Sequence, residues 1–380
     1  MFNEIPPPKR FNPDTCARKG ILDLGAYVPG KPIQEVKEEF GLTEVIKLAS
    51  NECPLPLPQN VVYALRAEFE NMSRYPDGNC RKLKTKVANK IGVPEASLLF
   101  SNGAEESVML IGQSLLDAGE NGIIPAPIYD AYETAIKITG AEVVKVPLSD
   151  NRIDLAETLR QVNEHTKIIW FCSPANPTGT IVPRTALDQF LQELPDDIAV
   201  VLDEAYFEYV QSTEAAHATD YLFKDDRVIG LRTFSKAYGL AGLRVGYIVA
   251  HPDVIKLISM VKLPFNVNVL AQAAALASLE NDDFVRGHVE MIIKERNYLT
   301  TALSERNMEV VPSETNFIFV KTPFNSIQLF NQMLPKGMII RPGSIWNMHH
   351  HIRLTVGTHE QNEKFLAALD QCINESTFEQ

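Results

Sequence analysis

The chain has 380 residues, 45% of them hydrophobic and 22% charged, which is the balance of a folded globular protein and excludes a disordered one. With 36 Lys and Arg against 48 Asp and Glu, the net charge of −12 argues against a general nucleic-acid or anionic-membrane binder, while a local basic pocket for an anionic metabolite stays open. A single core rarely grows past about 250–300 residues, so two packed units are expected.

The start, MFNEIPPPKRF, lacks the apolar run of a signal peptide, and no later stretch approaches the ~20 apolar residues of a membrane helix. Cys16, Cys53, Cys80, Cys172 and Cys372 are scattered without a C-x-x-C, and their odd number suits reduced thiols in a cytoplasm.

Residues 1–35 carry Pro6, Pro7, Pro8, Pro13, Pro29 and Pro32 and read as an extended arm, either disordered or laid over the small unit or a partner subunit. A second proline cluster, Pro54, Pro56 and Pro58, marks a loop before a helix over 59–71. Helices are expected over 81–91 and 105–116, around a short strand at 98–100; a strand follows at 142–146 and a helix at 155–162. Three apolar, β-rich runs come next, at 167–172, 199–202 and 228–231, the first two separated by a helix over 184–194. Apolar strands alternating with helices are what a parallel sheet covered on both faces requires, so the large unit is read as a mostly parallel open α/β sheet. Another apolar strand is expected at 243–249, with Arg244 inside it. Beyond it the pattern changes to helices at 252–263, 267–280 and 284–306, strands at 310–311, 317–320, 338–340 and 352–356, and a closing helix at 359–373. This tail reads as a smaller α+β domain. The expected division is an arm over 1–35, a large domain over 36–262 and a small domain over 263–380.

In open α/β sheets ligands sit beyond the carboxyl ends of the strands. Here three strand ends carry polar groups: Asn176 in Ser173-Pro174-Ala175-Asn176-Pro177-Thr178-Gly179, Asp203 and Tyr206 in Asp203-Glu204-Ala205-Tyr206, and Ser235 and Lys236 in Thr233-Phe234-Ser235-Lys236, followed by Arg244. One at a time these have plainer readings, as a turn, a helix cap or a surface lysine. Together, on neighbouring strands, they would converge on one cleft. A lysine whose pKa is lowered by burial and nearby cations is a Schiff-base nucleophile. A buried carboxylate holds a heteroaromatic nitrogen protonated, and tyrosine, serine and arginine serve a phenolate and a phosphate. Those are the demands of pyridoxal phosphate (PLP). A phosphate cradle is offered where 98–100 runs into Ser101-Asn102-Gly103-Ala104-Glu105, because a helix start presents free N–H groups; a plain strand-to-helix turn is the alternative. Tyr129 or Tyr132 is available to stack on the ring.

With those residues in place, the chain resembles the class I/II aminotransferases of PLP fold type I, and within them the histidinol-phosphate aminotransferase branch. Supporting stretches include Ala26-Tyr27-Val28-Pro29-Gly30, Ser50-Asn51-Glu52, Arg74-Tyr75-Pro76, Arg341-Pro342-Gly343 and Ile352-Arg353-Leu354, and the likeness runs over roughly residues 20–370. The resemblance implies that Lys236 binds the cofactor and shuttles a proton. It further implies that Asp203 pairs with the pyridine nitrogen, that Asn176 and Tyr206 bond the ring oxygen, and that Tyr129 stacks on the ring. Ala104, Glu105, Ser235, Arg244 and, from the other subunit, Tyr75 would hold the phosphate. Arg353, helped by Arg341, Tyr27 and Asn51, would bind the substrate. The implied partners are a small amino donor, a 2-oxo acid and a second copy of the chain, in a homodimer with shared sites. Histidinol phosphate with 2-oxoglutarate is the favoured pair. An aromatic aminotransferase, a phospho-amino-acid decarboxylase and a non-catalytic PLP-binding module are the alternatives. The sequence departs from the family at Cys53 and Pro56 and in the bulky, histidine-rich stretch Ile345-Trp346-Asn347-Met348-His349-His350-His351, whose histidines are read as solvated or substrate-lining. No metal site is expected there, since consecutive strand residues face opposite ways.

Overall fold

The computed structural model describes residues 11–22, 24–25 and 30–375. In chain order its strands are β1 (Ile46–Lys47), β2 (Leu98–Ser101), β3 (Asn121–Ala126), β4 (Glu142–Pro147), β5 (Thr166–Cys172), β6 (Ala199–Asp203), β7 (Val228–Thr233) and β8 (Gly246–Val249), then β9 (Glu309–Val311), β10 (Phe317–Lys321), β11 (Met338–Ile339), β12 (Arg341–Pro342) and β13 (His351–Thr355).

Side chains alternate across a strand, and in the central strands both faces are apolar. Ile169, Phe171, Val200 and Leu202 fall into one buried cluster, while Ile168, Trp170, Cys172 and Val201 fall into another on the opposite face. The resulting sheet has seven strands in the order β2-β8-β7-β6-β5-β3-β4. All its pairings are parallel except those of β8, which runs against β2 and β7. The second unit is a four-stranded antiparallel sheet, β12-β13-β10-β9, backed by the helices Asp282–Ser304 and His359–Glu375. Its register sets Arg353 opposite both Phe319 and Arg341, which puts the two arginines on one face.

Several expectations are revised. Arg244 is not in a strand: β8 begins at Gly246, and Arg244 occupies a left-handed turn at φ 57° after the short helical turn Ala241–Leu243. Strand β3 and the helix Ala131–Lys137 come in addition to the expected elements. The arm is not wholly extended, since Pro13–Cys16 and Lys19–Leu22 are helical turns. The helix Val269–Ser278, expected in the small unit, packs into the large core through Ala271, Ala274 and Ala275. Conversely Ile46 and Leu48 pack in the small core, and β1 pairs with β11. The chain therefore passes through the small unit before entering the large one, and residues 49–52 lie between the two.

Candidate active site

Strands β5, β6 and β7 are neighbours, with Cys172 paired to Asp203 and Asp203 to Leu231, so their carboxyl ends are level. The polar groups after them face one cleft of about 290 Å³ between the two units.

Asp203 closes β6 and is 3% exposed. One carboxylate oxygen accepts the Tyr132 hydroxyl at 2.5 Å and the other accepts the Ala205 amide at 2.9 Å. Burial pushes its carboxyl up to about 6, although the Tyr132 bond resists the rise. Its neighbour Glu204 points to the other face and meets the opposite environment. There Arg232 Nε at 2.9 Å and His217 at 3.2 Å outweigh burial and hold the carboxyl below its usual range. Two adjacent carboxylates are thus tuned apart, and the one in the cleft receives a phenol and an amide, not a guanidinium. Lys236 follows β7, its Nζ 3.4 Å from the Ser50 carbonyl. Burial, followed by the charges of Arg353 and Arg244, lowers its pKa to about 8.

At one end of the cleft the helix Ala104–Leu115 starts without a side-chain cap. Gly103 stands before it at φ +83°, and a Cβ there would come within 2.7 Å of Arg244 Nη2. A Cβ on Gly246 would lie 2.9 Å from the Ala104 amide. Two glycines thus keep a backbone cradle open beneath an arginine. Ser235 adds its hydroxyl, bonded to Thr233 at 3.0 Å. Free helix-start amides, a hydroxyl and a guanidinium make a site for a dianion.

At the other end Arg353 is fixed by Asn176 Oδ1 at 2.5 Å and the Ala49 carbonyl at 2.7 Å. The Tyr206 hydroxyl, its pKa raised by burial, accepts Asn51 Nδ2 at 2.9 Å. Asn51 is itself pinned by Thr355 and Asn316, both in the small unit.

Of the residues expected from sequence, Ala104, Glu105, Tyr129, Asn176, Asp203, Tyr206, Ser235, Lys236 and Arg244 line this cleft, together with Asn51, Arg341 and Arg353. Tyr75 does not; it is 82% exposed and stacked on Phe265 at 4.6 Å. Tyr27 lies outside the described residues. Cys53 is outside the cleft lining: its Sγ is 3.7 Å from His288 Nδ1, and burial pushes the thiol up to about 11. His349 and His350 are exposed away from the cleft, and His351 is stacked on Phe319. Of the bulky stretch that departs from the family, Ile345 and Trp346 line the substrate end; sequence reasoning missed Asp130 there, and Tyr132 as the partner of Asp203. The sequence offers Tyr132 as a stacking ring; in the structure its hydroxyl donates to Asp203 from the first turn of the helix Ala131–Lys137.

The family model for aminotransferase class I and II matches residues 43–369. A histidinol-phosphate aminotransferase of Caldicellulosiruptor saccharolyticus is 40% identical over 94% of this chain and 99% of its own length. One of Moorella thermoacetica is 42% identical over 94% of this chain and 92% of its own. Among solved structures, histidinol-phosphate aminotransferase of Sinorhizobium meliloti in complex with pyridoxal-5'-phosphate superimposes with a TM-score of 0.86 at 25% identity, covering 94% of this chain and 97% of that one.

Proposed function

The chain belongs to the class I and II aminotransferases, enzymes that use PLP, and from that premise we propose that it moves an amino group from histidinol phosphate to a 2-oxo acid, 2-oxoglutarate. The residues present fit the cofactor. Among the described residues the buried acid Asp203 has no cationic hydrogen-bond partner, the uncapped helix start lies under Arg244, and a lysine with lowered pKa stands in the same cleft. Bound PLP supplies an electron sink for bonds at the substrate α-carbon.

The protein's own part follows from the environments above. Asp203 holds a proton at the pyridine nitrogen, and the low-dielectric floor strengthens that ion pair. Asn176 and Tyr206 fix the ring oxygen, while Ala104, Glu105, Ser235 and Arg244 grip the phosphate. Lys236 is the attachment point and, when free, takes the α-proton of the amino donor. With a pKa near 8 its amine is available as a base close to neutral pH. Arg353 binds the anion of either substrate, since a guanidinium matches carboxylate and phosphate alike. The reading rests above all on Lys236 and Asp203 facing one cleft from adjacent strand ends, with their pKa values drawn toward each other.

We further propose a homodimer with shared sites. Tyr75 and Phe265 are exposed together with Met72, Met260 and Leu263, an apolar surface of the kind that subunits cover. Tyr75 from one subunit would then reach the other's phosphate, and the arm would lie over the partner. Five free thiols suit a cytoplasmic location.

A half-reaction screen tests the donor. The PLP-loaded protein is mixed with L-histidinol phosphate, phenylalanine or phosphothreonine, and the loss of the cofactor's visible band is timed. Fastest bleaching by histidinol phosphate is expected; faster reaction with phenylalanine, or carbon dioxide release from phosphothreonine, would overturn the assignment.

A further inference from the structure

Trp346 closes the short helical turn Gly343–Trp346. Its ring lines the cleft, with its centroid 5.4 Å from Cζ of Arg353. The ring of Phe317 lies 5.3 Å from the same carbon. Both are cation–π distances. Behind Trp346 the support continues: Phe319 meets it edge-on at 6.1 Å and 73°, and His351 is stacked on Phe319 at 5.0 Å and 13°. The histidine run that departs from the family thus contributes one ring to the rear of an aromatic stack. Burial lowers the pKa of His351, which keeps that ring neutral and suited to packing.

Two of the guanidinium nitrogens of Arg353 are tied to Asn176 Oδ1 and the Ala49 carbonyl. Those bonds hold two of its nitrogens, and the rings of Trp346 and Phe317 lie at cation–π distance from its carbon, where a flat ring face restrains the angle of a flat cation. We infer that Trp346 is a positioning residue that sets the angle at which Arg353 meets a substrate anion. This rests on the role proposed for Arg353 above. The competing role for Trp346 is direct stacking on the donor's ring. The two separate cleanly, because donor and 2-oxo acid both use Arg353, whereas only the donor carries a ring.

The test uses the PLP-loaded enzyme with L-histidinol phosphate and 2-oxoglutarate. Trp346→Leu and Trp346→Ala should each raise the KM of both substrates by a similar factor, about threefold to tenfold, with kcat nearly unchanged. Trp346→Phe, which keeps a ring over the guanidinium, should restore most of the loss. A rise confined to the donor, or Phe and Leu variants that behave alike, would overturn the inference. Arg353→Lys is the control. If it leaves both KM values unchanged, the reading of Arg353 itself has failed; if it raises both while the Trp346 variants do not, only the positioning role has.

Discussion

Replacing Asp203 by Asn probes the electrostatic design of the site without touching the lysine. The carboxyl stands at about 6 in the folded protein against an ordinary 3.8, because burial penalises its charge. Between those values the folded state holds a proton that the unfolded chain releases. Stability is therefore full below the unfolded pKa and falls as pH rises through the folded one. The gap corresponds to about 3 kcal/mol, carried in full by the cofactor-free protein above neutrality. Asp203→Asn removes that charge while keeping an acceptor for the Ala205 amide or the Tyr132 hydroxyl, so any lost hydrogen-bond energy is a constant offset of about 1 kcal/mol. Urea titrations of the cofactor-free parent and variant should show the stability difference, variant minus parent, growing by about 2.5 kcal/mol from about pH 4 to about pH 7.5, the remainder of the gap being spent below pH 4. Added PLP should favour the parent again, since only its carboxylate holds the ring proton. A difference that stays flat with pH would refute the reasoning, because Asp203 would then not be strained by burial.

Other outcomes follow from the same geometry. Gly103→Ala puts a methyl within 2.7 Å of Arg244 Nη2 at a positive φ, so PLP affinity should fall at least about tenfold in an equilibrium titration, with little loss of fold. The rate at which PLP becomes covalently attached should rise with pH through about 8, as the Lys236 ammonium gives up its proton; stopped-flow absorbance checks this, and a flat profile would contradict it. Mixing inactive Lys236→Ala with weakened Tyr75→Ala should regenerate activity through heterodimers having one intact site. No recovery, with subunit exchange verified by mass spectrometry, would remove Tyr75 from a shared site.

Much of the cleft was legible because its parts lie at the ends of parallel strands, where apolar runs announce the strand and the next few residues must face the ligand. Asn176, Asp203, Ser235 and Lys236 follow from that rule. Strand β3 was not read because Gly122 and Pro125 interrupt its apolar run, yet it pairs on both sides, with β4 and β5. The placing of Arg244 failed for a related reason: Gly242 through Gly246 reads as apolar strand, but a left-handed turn is what brings the guanidinium over Gly103. Residues 46–52 carry no periodic signal large enough to reveal that they join the small core. Trp346 and Asp130 enter the cleft only through the closeness of two units, which no local pattern encodes.

The most direct measurement is peptide mass mapping of the protein after loading with PLP and reduction with borohydride. The reduced cofactor should be found on Lys236, and the Lys236→Ala variant should carry none there or elsewhere. A label on another lysine, or no label on the parent, would contradict the central claim that this amine, set beside Asp203, is where the cofactor is held.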